Sequence, residues 1–487
     1  MKLDSESGRV RTISSAPVGV DAGFVLYYMT AFRRARYNAA LDRAVALAQQ
    51  LSKPLVIVEP LEIGYRWASS RHHRFLIQGM RDQASAFRAA QIAYYPYIER
   101  APGEIRGMLE SVAAEAAVVI TDDYPTFHGP RVIEACERLP VRVEAVDGNG
   151  VIPLHSAGHA FPTAYSFRRY VHEAVASGGI DFPRANALED LQLPLGELPR
   201  WIVDRWAPVR DEELADIDQL VAVLPLPQDI GPGWVSGGAV SAGERLREFV
   251  ARRLEAYDEK RNDPDEDWPS GLSPFLHFGH ISTHEILQSV IEGTGWTPAS
   301  VELAARGSRG GWGLDATRTA FVDQVVTWRE LGFNGCTYLE GYDQYGSLPE
   351  WARRTLAEHE SDPREWVYDR EQFEVAETHD PLWNAAQRQL VNEGRIHNYL
   401  RMLWGKKILE WSESPQEALD IMIELNNQYA LDGRDPNSYS GIFWILGRYD
   451  RPWGPEREVF GKIRYMSSDN TMRKTRVTEY LDRYGSW

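Results

Sequence analysis

Cysteine is nearly absent. The chain of 487 residues holds only Cys136 and Cys336, too few for a disulfide framework or a four-thiolate cluster. A reducing, cytoplasmic location follows as the default, and no metal site is expected. No apolar run approaches the length of a membrane span. The opening MKLDSESGRVRTISSAP lacks the apolar core of a signal peptide. Basic excess is missing too. The formal net charge is −17, which excludes a coat of positive charge for nucleic acid but not a local basic face. From Arg448 to Trp487, nine Lys/Arg stand against six Asp/Glu, several beside aromatics as in RYDRPW and GKIRYM. A solvated helical surface explains that balance more simply. Tryptophan is scarce early: only Trp67 precedes residue 200, and the other fifteen follow. Five of them, Trp383, Trp404, Trp411, Trp444 and Trp453, fall in one helical region. Trp fills cores or stacking sites, so this bias points to a C-terminal domain built around flat aromatic ligands.

The length allows two or three domains. Short apolar runs alternate with helical patterns at first. Gly23–Met29, Pro54–Leu61, Ala117–Thr121 and Val141–Val146 read as strands. Ala31–Leu51, with Tyr37 and Leu41 near one face, Arg71–Ala89 and Gly129–Arg138 read as helices. Such alternation predicts an α/β N-terminal domain with a parallel, Rossmann-like sheet, over 1–150. No GxGxxG follows the first strand, which weakens a dinucleotide-dehydrogenase reading. A ligand would lie at the carboxyl ends of the strands, near Met29–Arg34 and Glu59–Tyr65. Residues 151–245, with GPGWVSGG and VLPLPQD, read as a connector. An all-α domain is expected over 246–487, with helices at 241–257, 281–292, 316–331, 350–360, 383–393, 396–412, 415–429 and 474–483.

Four motifs stand out there. In SGLSPFLHFGHIS, Ser270 and Ser273 offer hydroxyls before a helix, suited to phosphate oxygens; an N-cap and turn need only one of them and are the simpler account. In RIHNYLRMLWGKKILEW, Trp404 and Trp411 are seven apart. They share a helix face with a rise of roughly 10 Å. They would carry an electron between the surface and a buried redox cofactor, or simply pack a helix interface, with Trp383 able to join them. In ELNNQYALDGRDPNSYSGIFW, Asp432 and Asp435 would pair a buried cation such as Arg401, and Asn426, Asn427 and Asn437 would meet a heterocycle. An Asx turn accounts for one or two of these, not the set. In FVDQVVTWRELGFN, Gln324 and Trp328 are four apart, a plausible seat for a nucleobase or an ordinary helix interface.

These residues resemble the photolyase/cryptochrome family, most closely class II cyclobutane pyrimidine dimer photolyases. The strings DPLWNAAQ, LRMLWGKKILEW, LDGRDPN and VFGKIRYM carry the likeness. It covers about 245–480 and extends more loosely through YYMTAFRRARYNAALDRA and PLVIVEPL. The resemblance implies an all-helical domain holding FAD and an α/β domain that often holds an antenna chromophore of deazaflavin or folate type. It implies that Tyr257, Ser270, Leu272 and Ser273 hold the FAD phosphates. Arg401 and Asp432 would form a salt bridge beside the flavin, with Asn426 near a flavin ring nitrogen. Trp404, Trp411 and Trp383 would be the photoreduction relay. Trp328, Met402 and Trp444 would line a lesion pocket, with Tyr368 near it. Arg451, Trp453 and Arg464 would approach UV-damaged DNA where the dimer is flipped out. The implied activity is light-driven splitting of that dimer by a monomeric deoxyribodipyrimidine photo-lyase, with no membrane partner.

The chain departs from the class II pattern at Asp323–Gln324, where paired glutamates are usual. Gln324 keeps a donor and an acceptor but no ionisable proton. Asn398 and the SPF of Ser273–Phe275 are milder departures. A blue-light photoreceptor of cryptochrome type, or a photolyase-like protein of altered lesion specificity, is the alternative that these changes keep open.

Overall fold

The run FVLYY is apolar throughout, and such a strand is stable only when covered on both faces. It forms β2 (Phe24–Tyr28), buried along its whole length. The computed structural model describes residues 8–486. The stretch that lacks an apolar leader starts in 1–7, outside that range, and Trp487 lies outside it too. With β1 (Val10–Ser14), β3 (Leu55–Leu61), β4 (Ala93–Ile98), β5 (Ala116–Asp122) and β6 (Val143–Val146), β2 builds a six-stranded sheet of order β1-β6-β5-β2-β3-β4. All pairings are parallel except β1 with β6. The parallel sheet is thus as expected, with an antiparallel edge added. Neither edge strand stood out in the periodicity. In β4, Pro96 breaks the pattern, and a proline is tolerated there because only one side of an edge strand is paired.

The helix expected from Ala31 begins at Ala39. Asn38 sets the start. Its Oδ1 accepts from the N–H groups of Ala40 and Leu41 at 3.0 and 3.1 Å. Its Nδ2 donates to the carbonyls of Phe32 and Arg34, which holds residues 31–38 in a loop. Tyr37 is therefore off the helix, in the left-handed region at φ 44°. This loop crosses the point where strand order reverses, between β2 and β5. Buried Asp122 closes that point by accepting from the N–H groups of Thr30, Ala31 and Phe32 at 2.8, 2.6 and 2.9 Å.

Residues 151–245 do more than connect. Ala187 and Leu188 pack on one face of the sheet, Ile202 and Trp206 on the other. Helix Ala164–Ala176 buries Phe167, Val171 and Val175 in the same core as Phe321 and Trp312 of the helical region.

In that region the helix expected over 316–331 runs on to Tyr338, but through a π-helical turn at Asp323–Trp328. Such a turn inserts a residue and commonly marks a functional site. The turn-rich stretch after Tyr429 is short. Asp435 Oδ1 accepts from Asn437 N–H at 2.8 Å and starts a further helix, Pro436–Ile445. The last expected helix, 474–483, divides into Ser468–Lys474 and Thr478–Tyr484. Two apolar cores result. One is built around Phe249, Phe275 and Phe321, the other around Trp383, Trp404 and Phe443. The principal cavity opens at their junction.

Candidate active site

The cavity has a volume of about 630 Å³ and takes its wall from both cores. It brings together Tyr257, Ser270, Leu272, Ser273, Gln324, Trp328, Arg401, Met402, Trp404, Asn426, Asp432, Trp444 and Arg464. These come from seven separate stretches of chain, so the fold assembles most of the expected set in one place.

At one end, the SGLS turn depends on glycine. Gly271 has φ +67°, and a Cβ there would meet the Trp234 ring at 2.6 Å and the Arg245 guanidinium at 2.8 Å. Ser270 Oγ accepts from Leu272 N–H at 3.4 Å, which leaves the Ser273 hydroxyl exposed. Tyr257 packs edge-on against Phe249 and Phe321. Burial raises its hydroxyl above the ordinary value, against the opposing pull of Arg261. Arg261 lies 5.5 Å from the Tyr257 ring and its buried Nε has no hydrogen-bond partner. Arg168 and Arg309 line the same end. None of these three arginines was read from the sequence. Arg168 lies far from its partner along the chain, so no local pattern reveals it.

In the middle, Arg401 Nη2 meets Asp432 Oδ1 and Oδ2 at 3.0 and 3.3 Å, the expected pair. Asn426 donates its Nδ2 to Ser438 Oγ at 2.7 Å, which leaves its carbonyl oxygen for other donors. Ser438 is a further wall residue that sequence reading missed; it became visible only once Pro436–Ile445 proved helical.

At the far end, the Trp328 and Trp444 rings stack at 5.0 Å and 25°. The π turn holds Gln324 and Trp328 on the wall together. It also turns Asp323 the other way, into the protein. Asp323 takes Arg168 Nε and Nη2 at 2.6 and 2.9 Å with no side-chain exposure. Removing one partner of such a buried pair costs about 3–5 kcal/mol because a charge is left without compensation. Arg168→Met should therefore lower unfolding stability by about that amount, measured by urea denaturation, while Arg169→Met on the exposed side of the same helix should change little. Just outside this end, Trp453 is flanked by two guanidinium groups, Arg451 at 4.7 Å and Arg464 at 5.1 Å.

Behind the cavity wall, Trp404 donates its Nε1 to Gln387 at 2.9 Å, and Trp383 donates its Nε1 to the Trp404 carbonyl at 2.9 Å. The Trp383 ring lies 6.1 Å from Trp411. The three residues thus form a string from the cavity wall, with Trp383 meeting the Trp404 backbone on one side and the Trp411 ring on the other. Tyr368, expected near the lesion end, is not among the residues of the cavity wall. It lies against Trp411 at 5.8 Å, held there because its hydroxyl meets His379 Nδ1 at 2.8 Å.

A second cavity of about 300 Å³ opens beyond the carboxyl ends of β2 and β3, lined by Thr30, Arg33, Leu61, Glu62 and Tyr65. That is the strand-end position expected. Phe127 and His128 face it, in edge-to-face contact with each other. Burial, with Arg131 nearby, pulls His128 down to about 3, so its ring is neutral. Arg434 crosses from the helical region into this wall, 2% exposed, with its Nη2 unpartnered.

No family model matches the chain. A deoxyribodipyrimidine photo-lyase of Methanothermobacter thermautotrophicus is 35% identical over 476 residues, 98% of this chain and 97% of that one. Proteins of the same name from Oryza sativa and Potorous tridactylus are 34% and 33% identical, covering 97% and 93% of this chain and 89% and 80% of theirs. A solved bacterial class III photolyase from Agrobacterium tumefaciens has a TM-score of 0.61 at 16% identity, covering 95% of this chain and 86% of its own, a likeness of fold. With about a third of its residues shared over nearly the full length of such proteins, the chain belongs to the deoxyribodipyrimidine photo-lyase family, whose enzymes repair DNA.

Proposed function

We propose that the large cavity binds FAD and that the chain splits cyclobutane pyrimidine dimers in light. The residues fit that cofactor. The volume is within the range of about 300–1,000 Å³ for ligand sites. Tyr257, the Ser270–Ser273 turn and the Arg261 guanidinium suit a pyrophosphate at one end. Arg401, Asp432 and Asn426 suit the polar edge of a flat heterocycle. When bound, FAD supplies the light-excited electron donor. The chain's own work is placement. A cofactor bound in the cavity would cover the Arg401–Asp432 pair, whose side chains are 27% and 15% exposed, and so strengthen it. Arg451, Trp453 and Arg464 meet the DNA strand, and Trp328 and Trp444 receive the flipped-out dimer. A base inserted between two rings needs about 7 Å between them. Trp328 and Trp444 are closer than that, so the dimer rests across their outer faces beside Gln324 and Met402.

The observation that carries this reading is the string Trp404–Trp383–Trp411 beginning on the wall of that same cavity. An ordinary ligand pocket has no need of it. The test is an oligonucleotide with one thymine dimer, incubated in light and in dark. Loss of the dimer only in light is expected; loss in the dark, or in neither, ends the proposal.

Gln324 favours a second reading, a blue-light sensor on the same scaffold. No carboxylic acid takes its place, since Asp323 is locked to Arg168. Light-driven flavin reduction without repair in the same assay would select the sensor. The second cavity suits an antenna chromophore, a flat conjugated ring lying against the edge-to-face pair Tyr65 and Phe127 with a polar edge toward Arg33 and Arg434. No described helix is long and apolar enough to cross a membrane.

A further inference from the structure

The three indoles of the string are all buried, Trp411 at 3% exposure. A relay that is refilled from solution has to reach solution somewhere. Beyond Trp411 the rings continue outward. His379 lies 4.8 Å from Trp411, and Trp366 stacks on His379 at 4.4 Å and 19°. Trp366 is 43% exposed, so the series of rings reaches solvent there. Tyr368 stands alongside, parallel to Trp366 at 6.5 Å, but only 9% exposed.

We propose that Trp366 is the port at which the relay takes electrons from solution, with a small thiolate as the reductant. This rests on the proposed relay through Trp404, Trp383 and Trp411. One electron passes from Trp366 to the oxidised Trp411, which moves the vacancy to the surface. The thiolate sulfur then gives one electron to the Trp366 radical cation and leaves as a thiyl radical, and the indole is restored. No atom or proton has to move. Tyr368 is less suited to this exchange. Its ring is covered, and its oxidation requires the phenolic proton to pass to His379.

The FAD-loaded full chain is illuminated without thiol and its oxidised residues are mapped by mass spectrometry. Oxygen adducts should gather on Trp366, disappear in the dark, fall with added mercaptoethanol and vanish in Trp404→Phe. Trp201, 49% exposed on the sheet side, is the control for stray oxidation. Equal adducts on Trp201 and Trp366, or adducts on Trp411 or Tyr368 with Trp366 clean, would overturn the port. In flash experiments, Trp366→Phe should slow thiol-dependent decay of the indole radical absorbance severalfold while its initial yield stays the same. An equal or faster decay would overturn the port and leave the relay standing. Unchanged photoreduction in Trp404→Phe would instead overturn the relay, and the port with it.

Discussion

Trp404→Phe should leave FAD bound and drop its light-driven reduction to the background rate. Trp404 is the only member of the string on the cavity wall; Trp383 and Trp411 lie behind it. Phenylalanine keeps the ring's bulk but is far harder to oxidise, so the string loses contact with its acceptor. The change removes one hydrogen bond, Trp404 Nε1 to Gln387 Oε1. Leaving that buried oxygen unpaired costs about 1–3 kcal/mol, which a domain stable by about 5–15 kcal/mol survives. Flavin absorbance after gel filtration checks occupancy, and its bleaching under blue light checks reduction. Occupancy near that of the unaltered protein with bleaching abolished is the expected pair. Bleaching at the unaltered rate would remove Trp404, and the string behind it, from the electron path.

What could be read from the sequence follows from the range of each interaction. β2 announces itself because every residue of FVLYY is apolar. The Trp404–Trp411 spacing is local to one helix, and the fold keeps it. Arg401 and Asp432 are 31 residues apart, yet a helix and a turn-rich loop of opposite charge made the pair legible. The contacts that were not legible join distant segments. Arg168 and Asp323 are 155 residues apart, and the helix that carries Arg168 looked like part of a connector. The place of Tyr368 against Trp411 was not legible, because its anchor, His379, sets it through tertiary contact. The π turn was invisible for another reason. DQVVTW has ordinary helical propensity, and the inserted residue comes from Asp323 being drawn toward Arg168 while Gln324 and Trp328 stay on the cavity wall.

That turn makes Gln324→Glu the most informative exchange at the site. Position 324 offers the cavity a polar group beside Trp328, whereas its neighbour Asp323 is committed to Arg168. A glutamine amide donates a neutral hydrogen bond to the electron-loaded dimer. A protonated glutamic acid donates a stronger one, by about 1 kcal/mol, since bonds to charged acceptors gain most from an acidic donor. Dimer splitting competes with return of the electron, so that difference corresponds to about a fivefold rise in repair yield per photon. The exchange also introduces a pH dependence. The acid donates only while protonated, so the gain should fade as pH rises through the new carboxyl's pKa, whereas the glutamine protein stays flat across the same window. Repair yield on a dimer-containing oligonucleotide, measured against pH under fixed illumination, checks both. A Glu variant with no gain at any pH would place the dimer away from residue 324. A gain that does not titrate would mean that the carboxyl acts by packing rather than by its proton.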